Sequence, residues 1–98
     1  MRLTIKCSIA ILKNNKHLYL FSKRKKIPYI DYFEFPGGEL KDNEKPYDGL
    51  LRECAEEIGI TITDAEYINA ITQRYLDFDV ILYIFKINSY DGIIKAQE

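Results

Sequence analysis

The first part of the chain alternates between apolar and polar side chains, and this alternation predicts a β-strand over residues 3–12. One face of that strand carries Leu3, Ile5, Cys7, Ile9 and Ile11. The opposite face carries Thr4, Lys6 and Ser8. Asn14 and Asn15 then suit a turn, because asparagine tolerates left-handed backbone conformations. Residues 17–21 are expected to form a second strand, so that the two strands make a hairpin.

A helical period replaces the strand pattern between residues 46 and 58. Successive residues of a helix advance by about 100°, which places a set of mostly apolar side chains on one stripe: Tyr47, Leu50, Leu51, Cys54 and Ile58. The opposite arc carries Arg52, Glu53, Glu56 and Glu57. Pro46 suits the first turn of a helix, and Gly59 suits its C-terminal stop. The sequence therefore predicts an amphipathic helix with one acidic face.

Further strands are expected on both sides of this helix. A short apolar run at residues 32–35 leads into a Pro-Gly-Gly sequence at 36–38, where glycine permits a sharp turn and a close approach of the backbone to a ligand. Residues 65–74 and 78–88 are rich in strand-forming residues and predict two long strands. Residues 89–92 then suit a turn. The last long strand has apolar side chains on both faces, which indicates burial on both sides near its middle.

Length and charge limit the classes of protein to consider. The 98 residues are enough for one small domain with one modest core, so residues 1–98 are predicted to form a single domain. The formal net charge of −1 gives no bulk attraction to nucleic acid or to a membrane surface. The basic run at 23–26 is a local exception, and it is either a solvated loop or a loop that attracts phosphates. Cys7 and Cys54 lie in apolar patterns, which indicates buried thiols in a reducing compartment, and the N-terminal apolar run is too short to span a membrane. A cytoplasmic protein is expected.

The acidic face of the predicted helix has two interpretations. Carboxylates on one arc, from Glu53, Glu56 and Glu57, repel one another by a few tenths of a kcal/mol for each adjacent pair, and Arg52 offsets only part of this. The face is either a solvated acidic surface or a site for a hard divalent cation such as Mg²⁺, which prefers oxygen ligands, water and substrate phosphates. Gly49 lies in the middle of the same arc. It is either a neutral solvent-facing position or one where a side chain would crowd metals or phosphates.

The spacing of residues 38–60 carries a resemblance to a known family. The run GELKDNEKPYDGLLRECAEEIGI places Gly38, Glu44, an Arg-Glu pair, a Glu-Glu pair and Gly59 at fixed intervals. This pattern resembles the Nudix box, the catalytic loop–helix–loop of the Nudix hydrolases. The run FEFPGG before it resembles the approach to the box in the MutT-type branch, which cleans nucleotide pools. The resemblance implies an α+β fold, a Nudix-type mixed β-sheet with the box loop–helix–loop, shortened at its C-terminus.

The resemblance also implies a metal site. It assigns Mg²⁺, with Mn²⁺ as an alternative, to the carboxylates of Glu53, Glu56 and Glu57. A backbone carbonyl of Gly37 or Gly38 would be a further ligand. With the spacing taken into account, the metal interpretation of the acidic face is favoured over the solvated surface.

The chemistry that the resemblance implies is Mg²⁺-dependent hydrolysis of a nucleoside diphosphate linked to another group. In the MutT-type branch, water attacks the inner phosphorus of a nucleoside triphosphate, and the products are a monophosphate and pyrophosphate. Arg52 would orient Glu53, and Glu44 would support the loop. A general base takes the proton from the water. Glu53 is the first candidate for that base, and Glu98 stands at a matching later position.

Alternatives to this function remain open from the sequence. If the protein is not an enzyme, it is a non-catalytic nucleotide-binding module or a remnant of a longer gene. If it is an enzyme, dinucleoside polyphosphates or ADP-ribose are alternative substrates. Nudix domains commonly run some tens of residues further, with a second helix and a last strand. Because one helix protects only one side of a sheet, an apolar face would remain uncovered, and a homodimer that buries it is expected. The expected partners are a nucleotide substrate and a second copy, with neither nucleic acid nor membrane.

Overall fold

The computed structural model of the protein describes residues 2–14, 16–23 and 33–95. Its elements in chain order are β1 (Leu3–Ile11), β2 (Ser22–Lys23), β3 (Phe33–Glu34), β4 (Gly37–Glu39), α1 (Pro46–Ile58), β5 (Thr61–Arg74) and β6 (Phe78–Asp91). The candidate base Glu98 and most of the basic run at 23–26 lie outside the described residues.

Four of the strands form one mixed sheet. Their order is β4-β1-β6-β5, with β1 parallel to β6 and the other neighbouring pairs antiparallel. β2 and β3 form a separate two-stranded ladder. This mixed sheet with a helix packed on it confirms the predicted α+β fold class. In the part of the chain that the structure describes, no helix is long and apolar enough to span a membrane.

The first strand is confirmed, but the second strand of the predicted hairpin is not. After β1 the chain does turn back, and the Leu20 N–H donates to the Leu12 carbonyl at 2.8 Å. The pairing there is an isolated bridge between Lys13 and Tyr19 rather than a strand. The turn is closed by the Asn14 side chain, whose Oδ1 accepts from two backbone N–H groups at 2.8 and 3.0 Å. These side-chain bonds take backbone donors that a regular ladder would use.

Gly37 and Gly38 form a strand, and the sharp change of direction predicted for residues 36–38 lies at Pro36, between β3 and β4. β4 pairs antiparallel with β1, with Gly38 opposite Ser8. Gly37 has φ +141°, and a Cβ there would lie 2.0 Å from the Ser8 carbonyl oxygen. A side chain at Gly37 would therefore force the strands apart. Glycine is required here for the close approach of β4 to β1 and not for a reversal of the chain.

The two long strands are confirmed, and both are longer than predicted. Each contains 14 residues, and they pair as an antiparallel hairpin. Residues 89–91 belong to β6, so the turn predicted at 89–92 is wrong, and the chain leaves the strand at Gly92 with φ +103°. Cross-strand contacts extend the pairing, among them a hydrogen bond of 2.6 Å between the hydroxyls of Thr63 and Ser89.

The core lies between α1 and one face of the sheet. Its buried apolar residues are Ala10, Leu12, Leu50, Cys54, Ile58, Ile60, Ile62, Phe85 and Ile87. Leu50, Cys54 and Ile58 confirm the predicted apolar stripe of the helix. Tyr47 and Leu51 pack against the same core but remain half-buried.

The face of β1 that α1 covers is the less apolar of its two faces. Ser8 and Ala10 are completely buried, and the Ser8 hydroxyl donates to the Pro46 carbonyl at the start of the helix at 2.7 Å. The strongly apolar face, which includes Ile5 and Ile9, is only half-buried. The neighbouring part of β6 is also half-buried. The predicted burial of β6 on both sides is therefore not found among the described residues.

Candidate active site

The centre of the candidate site is the guanidinium group of Arg52 on α1. Its Nε and Nη2 atoms donate to the two carboxylate oxygens of Glu44 at 2.8 and 2.9 Å. Nη1 donates to Glu53 at 2.9 Å and to Glu56 at 3.2 Å. Nη2 also donates to the backbone carbonyl of Glu39 at 3.1 Å. One side chain thus joins the end of β4, the loop before the helix, and two turns of the helix.

The two-pronged contact between Arg52 and Glu44 attaches the loop to the helix. Bidentate pairs of this kind combine opposite charge with a fixed geometry. Glu44 also accepts a hydrogen bond from the Lys41 N–H at 2.9 Å. The hydrogen bonds from Arg52, and next that from Lys41, hold the pKa of Glu44 at about 2, below its ordinary value of 4.5. The same contact raises the pKa of Arg52, so both groups are charged near neutral pH.

Glu53 lies in a space that glycine leaves open. A Cβ at Gly38 would lie 2.5 Å from Glu53 Cδ and 2.5 and 2.8 Å from its carboxylate oxygens. The Glu53 side chain is 18% exposed, and its Oε1 accepts from Arg52. The guanidinium therefore orients this carboxylate beside the backbone of β4.

Gly49 is buried against the loop, so its interpretation as a solvent-facing position is wrong. A Cβ there would lie 2.1 Å from Leu40 Cδ2 and 3.1 Å from Glu44 Oε1. The neighbours that a side chain would crowd are thus a leucine and a carboxylate of the loop. The periodicity of the helix could not reveal this contact, because Leu40 comes from a different segment.

The two ends of α1 fix which residues face the loop. Lys45 is the N-cap and forms no side-chain capping hydrogen bond, while Pro46 occupies the first turn. At the other end Gly59 adopts φ 73°, and its N–H donates to the Ala55 carbonyl at 3.2 Å. Both predicted helix signals are therefore confirmed.

The oxygen donors of the site fit a hard divalent cation. Carboxylates and backbone carbonyls are the ligand types that Mg²⁺ selects, and the absence of a side chain at Gly38 lets the Glu53 carboxylate lie against the backbone of β4. Across residues 2–14, 16–23 and 33–95, no three His, Cys, Asp or Glu side chains converge as a group that could hold a metal ion. Mg²⁺ does not require such a group, because it is commonly held by one or two carboxylates together with water and substrate phosphates.

The structure brings four of the predicted site residues into contact: Arg52, Glu44, Glu53 and Glu56. Glu57 lies on the next position of α1 and is half-buried. Burial, followed by the charge of Glu57, raises the pKa of the Cys54 thiol to about 12. The contact of Arg52 with the Glu39 carbonyl could not be predicted from the sequence, because every residue type carries a backbone carbonyl.

Comparison with known proteins identifies the family. Residues 4–98 match the family model described as the NUDIX domain. The chain is 38% identical over 88 residues to the 8-oxo-dGTP diphosphatase of Buchnera aphidicola subsp. Schizaphis graminum (strain Sg), a match covering 90% of this chain and 65% of that protein. Over 67 residues it is 34% identical to the 8-oxo-dGTP diphosphatase of Proteus vulgaris, covering 68% of this chain and 60% of that one. The chain therefore belongs to the Nudix family, as its box predicted.

The same fold occurs in a solved structure. The MutT Nudix hydrolase from Burkholderia pseudomallei superposes with a TM-score of 0.89 at 19% identity, covering 99% of this chain and 76% of that chain. This likeness confirms the Nudix fold. The chain spans less than two thirds of the length of the two curated relatives, at 65% and 60%. Members of the family generally use divalent metal ions.

Proposed function

We propose that this protein is a metal-dependent pyrophosphohydrolase that cleaves a nucleoside triphosphate into a monophosphate and pyrophosphate. The observation that carries the proposal is the Glu53 carboxylate, oriented by Arg52 beside the glycine backbone at Gly38. Similar proteins named 8-oxo-dGTP diphosphatase, CTP pyrophosphohydrolase and RNA pyrophosphohydrolase support a phosphorylated nucleotide as the substrate class.

In this proposal Glu53 is the general base. The oxygen of a water molecule attacks the inner phosphorus, the bridging P–O bond breaks, pyrophosphate leaves, and the Glu53 carboxylate takes the proton of the water. Arg52 holds Glu53 in place through the hydrogen bond of 2.9 Å. Glu44 acts one step away, as a positioning residue that holds Arg52 through its two carboxylate oxygens. Glu98 remains the alternative base.

We assign the divalent ion, Mg²⁺ or Mn²⁺, to the carboxylates of Glu53, Glu56 and Glu57 and to a backbone carbonyl of Gly37 or Gly38. When bound, such an ion neutralises phosphate charge and makes water easier to deprotonate. Two observations support the assignment: all of these donors are oxygen atoms, and the Glu56 side chain is 56% exposed and thus accessible to a ligand.

The test is hydrolysis of a nucleotide panel with Mg²⁺ by the wild type and by the double variant Glu53→Gln, Glu57→Gln. The wild type should release a monophosphate and pyrophosphate, and the double variant should lose orders of magnitude in rate, each factor of ten corresponding to about 1.4 kcal/mol. Glu66→Gln, on exposed β5, is the matched control and should keep the wild-type rate. Wild-type activity in the double variant would contradict the proposal.

Metal binding supplies a readout that does not depend on turnover. Electron paramagnetic resonance of Mn²⁺ titrated with protein should show weaker binding by Glu57→Gln than by the wild type. Nucleotide binding without hydrolysis would instead favour the non-catalytic module. Dinucleoside polyphosphates and ADP-ribose belong in the panel, because they are the alternative substrates. We further expect a cytoplasmic location, in which Cys7 and Cys54 remain reduced.

A further inference from the structure

Ser8 lies where β1 meets both α1 and β4. Within residues 2–14, 16–23 and 33–95, it is the one polar side chain that is completely buried. Its hydroxyl donates to the Pro46 carbonyl at the start of α1 at 2.7 Å, and its backbone lies opposite Gly38 in the ladder of β1 and β4. The same residue of β1 therefore contacts the start of the helix and the strand beside the candidate site.

The hydrogen bond to Pro46 ties the start of α1 to the sheet. Helices commonly begin with a capping Ser, Thr, Asp or Asn, but here Lys45 occupies the cap position without a side-chain capping bond. The Ser8 hydroxyl comes from a strand 38 residues earlier in the chain. It therefore fixes the start of the helix relative to β1, whereas an ordinary cap fixes it only relative to the preceding loop.

Alanine would fit at this position, because Ala10 is completely buried on the same face of β1. Burial of a hydroxyl is costly unless it is hydrogen-bonded, so serine gains nothing over alanine from packing alone. The hydroxyl instead adds a directional contact, which holds one atom of the helix to one atom of the strand. Apolar surfaces in contact do not fix a position in this way.

The position of the helix start matters for the site because α1 also carries Glu53. This residue lies about two turns, or about 10 Å, along the helix from Pro46. A Cβ at Gly38 would lie 2.5 Å from Glu53 Cδ, so the carboxylate lies against the residue that pairs with Ser8. A shift of α1 along β1 would therefore carry the carboxylate away from Gly38.

We propose that Ser8 is a positioning residue for the hydrolysis. Its hydrogen bond to Pro46 fixes α1 along β1, and the helix in turn holds the Glu53 carboxylate against β4. This inference rests on the proposed function, in which Glu53 takes the proton of the attacking water. Ser8 itself is completely buried beneath the helix and acts only through Glu53.

The first test compares the kinetics of Ser8→Ala with those of a core variant of similar stability. A misplacement of about 1 Å costs roughly a hundredfold in rate. Loss of one hydrogen bond permits a smaller shift, so kcat should fall about tenfold with KM close to that of the wild type. Ile62→Val is the matched control, because it also removes one heavy atom from a buried side chain of the core beneath α1, at a comparable cost in stability. It should keep the wild-type kcat.

The second test asks whether Ser8 acts through Glu53. In the Glu53→Gln background no carboxylate remains to be positioned, so adding Ser8→Ala should lower the residual rate less than twofold. Residues that act as a unit lose rate non-additively in this way. A further tenfold loss in the double variant would show that Ser8 acts independently of Glu53. That result would overturn the proposal, as would an equal fall of kcat in Ser8→Ala and Ile62→Val.

The ¹³C chemical shift of the Glu53 carboxyl group supplies a readout that does not depend on turnover. It should change in Ser8→Ala, because the carboxylate moves relative to Gly38 and Arg52, and it should stay unchanged in Ile62→Val. If the wild type hydrolyses no nucleotide but the shift responds to Ser8→Ala, the proposed function fails while the positioning of Glu53 by Ser8 stands. An unchanged Glu53 shift in folded Ser8→Ala would overturn the positioning role, whatever the activity of the wild type.

Discussion

Replacing Gly38 by alanine tests the site without an obvious cost to the fold. Gly38 does not adopt a left-handed φ, so its backbone conformation is open to alanine. The atoms that a Cβ would meet are all at the end of one flexible side chain: Glu53 Cδ at 2.5 Å and the two oxygens at 2.5 and 2.8 Å. The strand can therefore stay in place while the Glu53 carboxylate moves away.

The size of the effect follows from that displacement. Because non-bonded carbon contacts are optimal at about 3.5–4.0 Å, the carboxylate must retreat by about 1 Å. A misplacement of about 1 Å at a reacting group costs roughly a hundredfold in rate. The move also lengthens the bond of 2.9 Å between Glu53 and Arg52. We therefore expect Gly38→Ala to lose about two orders of magnitude in rate, with a melting temperature close to that of the wild type.

The comparison variant is Gly49→Ala, which adds a methyl group to the same loop–helix unit but directs it at Leu40 Cδ2, with Glu44 Oε1 at 3.1 Å and no atom of Glu53 among its three nearest neighbours. Leucine can rotate, and alanine gains up to about 1 kcal/mol of helix propensity over glycine, so this variant should keep most of the rate. Pyrophosphate release and thermal unfolding are measured on both. If Gly38→Ala works at the wild-type rate, the close approach of Glu53 to β4 has no part in catalysis. If it unfolds, the effect is structural and the reasoning also fails.

Three further predictions concern packing, charge and geometry. Ile58→Ala should lower the free energy of unfolding, measured by chemical denaturation, by about 2–5 kcal/mol, because Ile58 is 4% exposed in the core. An unchanged free energy of unfolding would show that α1 packs differently. Because the pKa of Glu44 is lowered from 4.5 to about 2, its contribution to stability is complete above pH 4.5 and is lost as the pH falls through about 2. Urea denaturation of Glu44→Gln should therefore depend less on pH in that window, and an identical profile would refute the contact. Arg52→Lys keeps the charge but loses the bidentate contact with Glu44, so its kcat should be lower than that of the wild type. The kcat of Arg52→Gln, which also loses the charge, should be lower still. Equal kcat values in the wild type and both variants would argue against a positioning role.

The parts of the fold that depend on local sequence were predictable. α1 has a proline in its first turn, a glycine at its stop and an apolar stripe between them, all within one segment. The long hairpin of β5 and β6 follows from strand-forming residues on both sides of a short connection. These features need no knowledge of what the segments pack against.

The parts that depend on distant pairing were not predictable. Gly37 and Gly38 form a strand because β1 offers an edge to them, and nothing within a Pro-Gly-Gly sequence reveals that edge. The burial of Gly49 depends on Leu40, and the role of the Glu39 carbonyl depends on the reach of Arg52. The box spacing predicted the residues of the candidate site, but their contacts follow from how the loop packs on the helix.

The small side chains beneath α1 set how closely the helix approaches the sheet. Ser8 and Ala10 occupy little volume, so the helix lies close to β1, and the Ser8 hydroxyl fixes its start at Pro46. Gly38 pairs with Ser8, and the same closeness lets the Glu53 carboxylate reach the backbone of β4. Larger apolar residues on this side of β1 would lift the helix and separate Glu53 from Gly38. The bulky residues of β1, among them Ile5 and Ile9, therefore lie on the other side of the sheet, where they are half-buried.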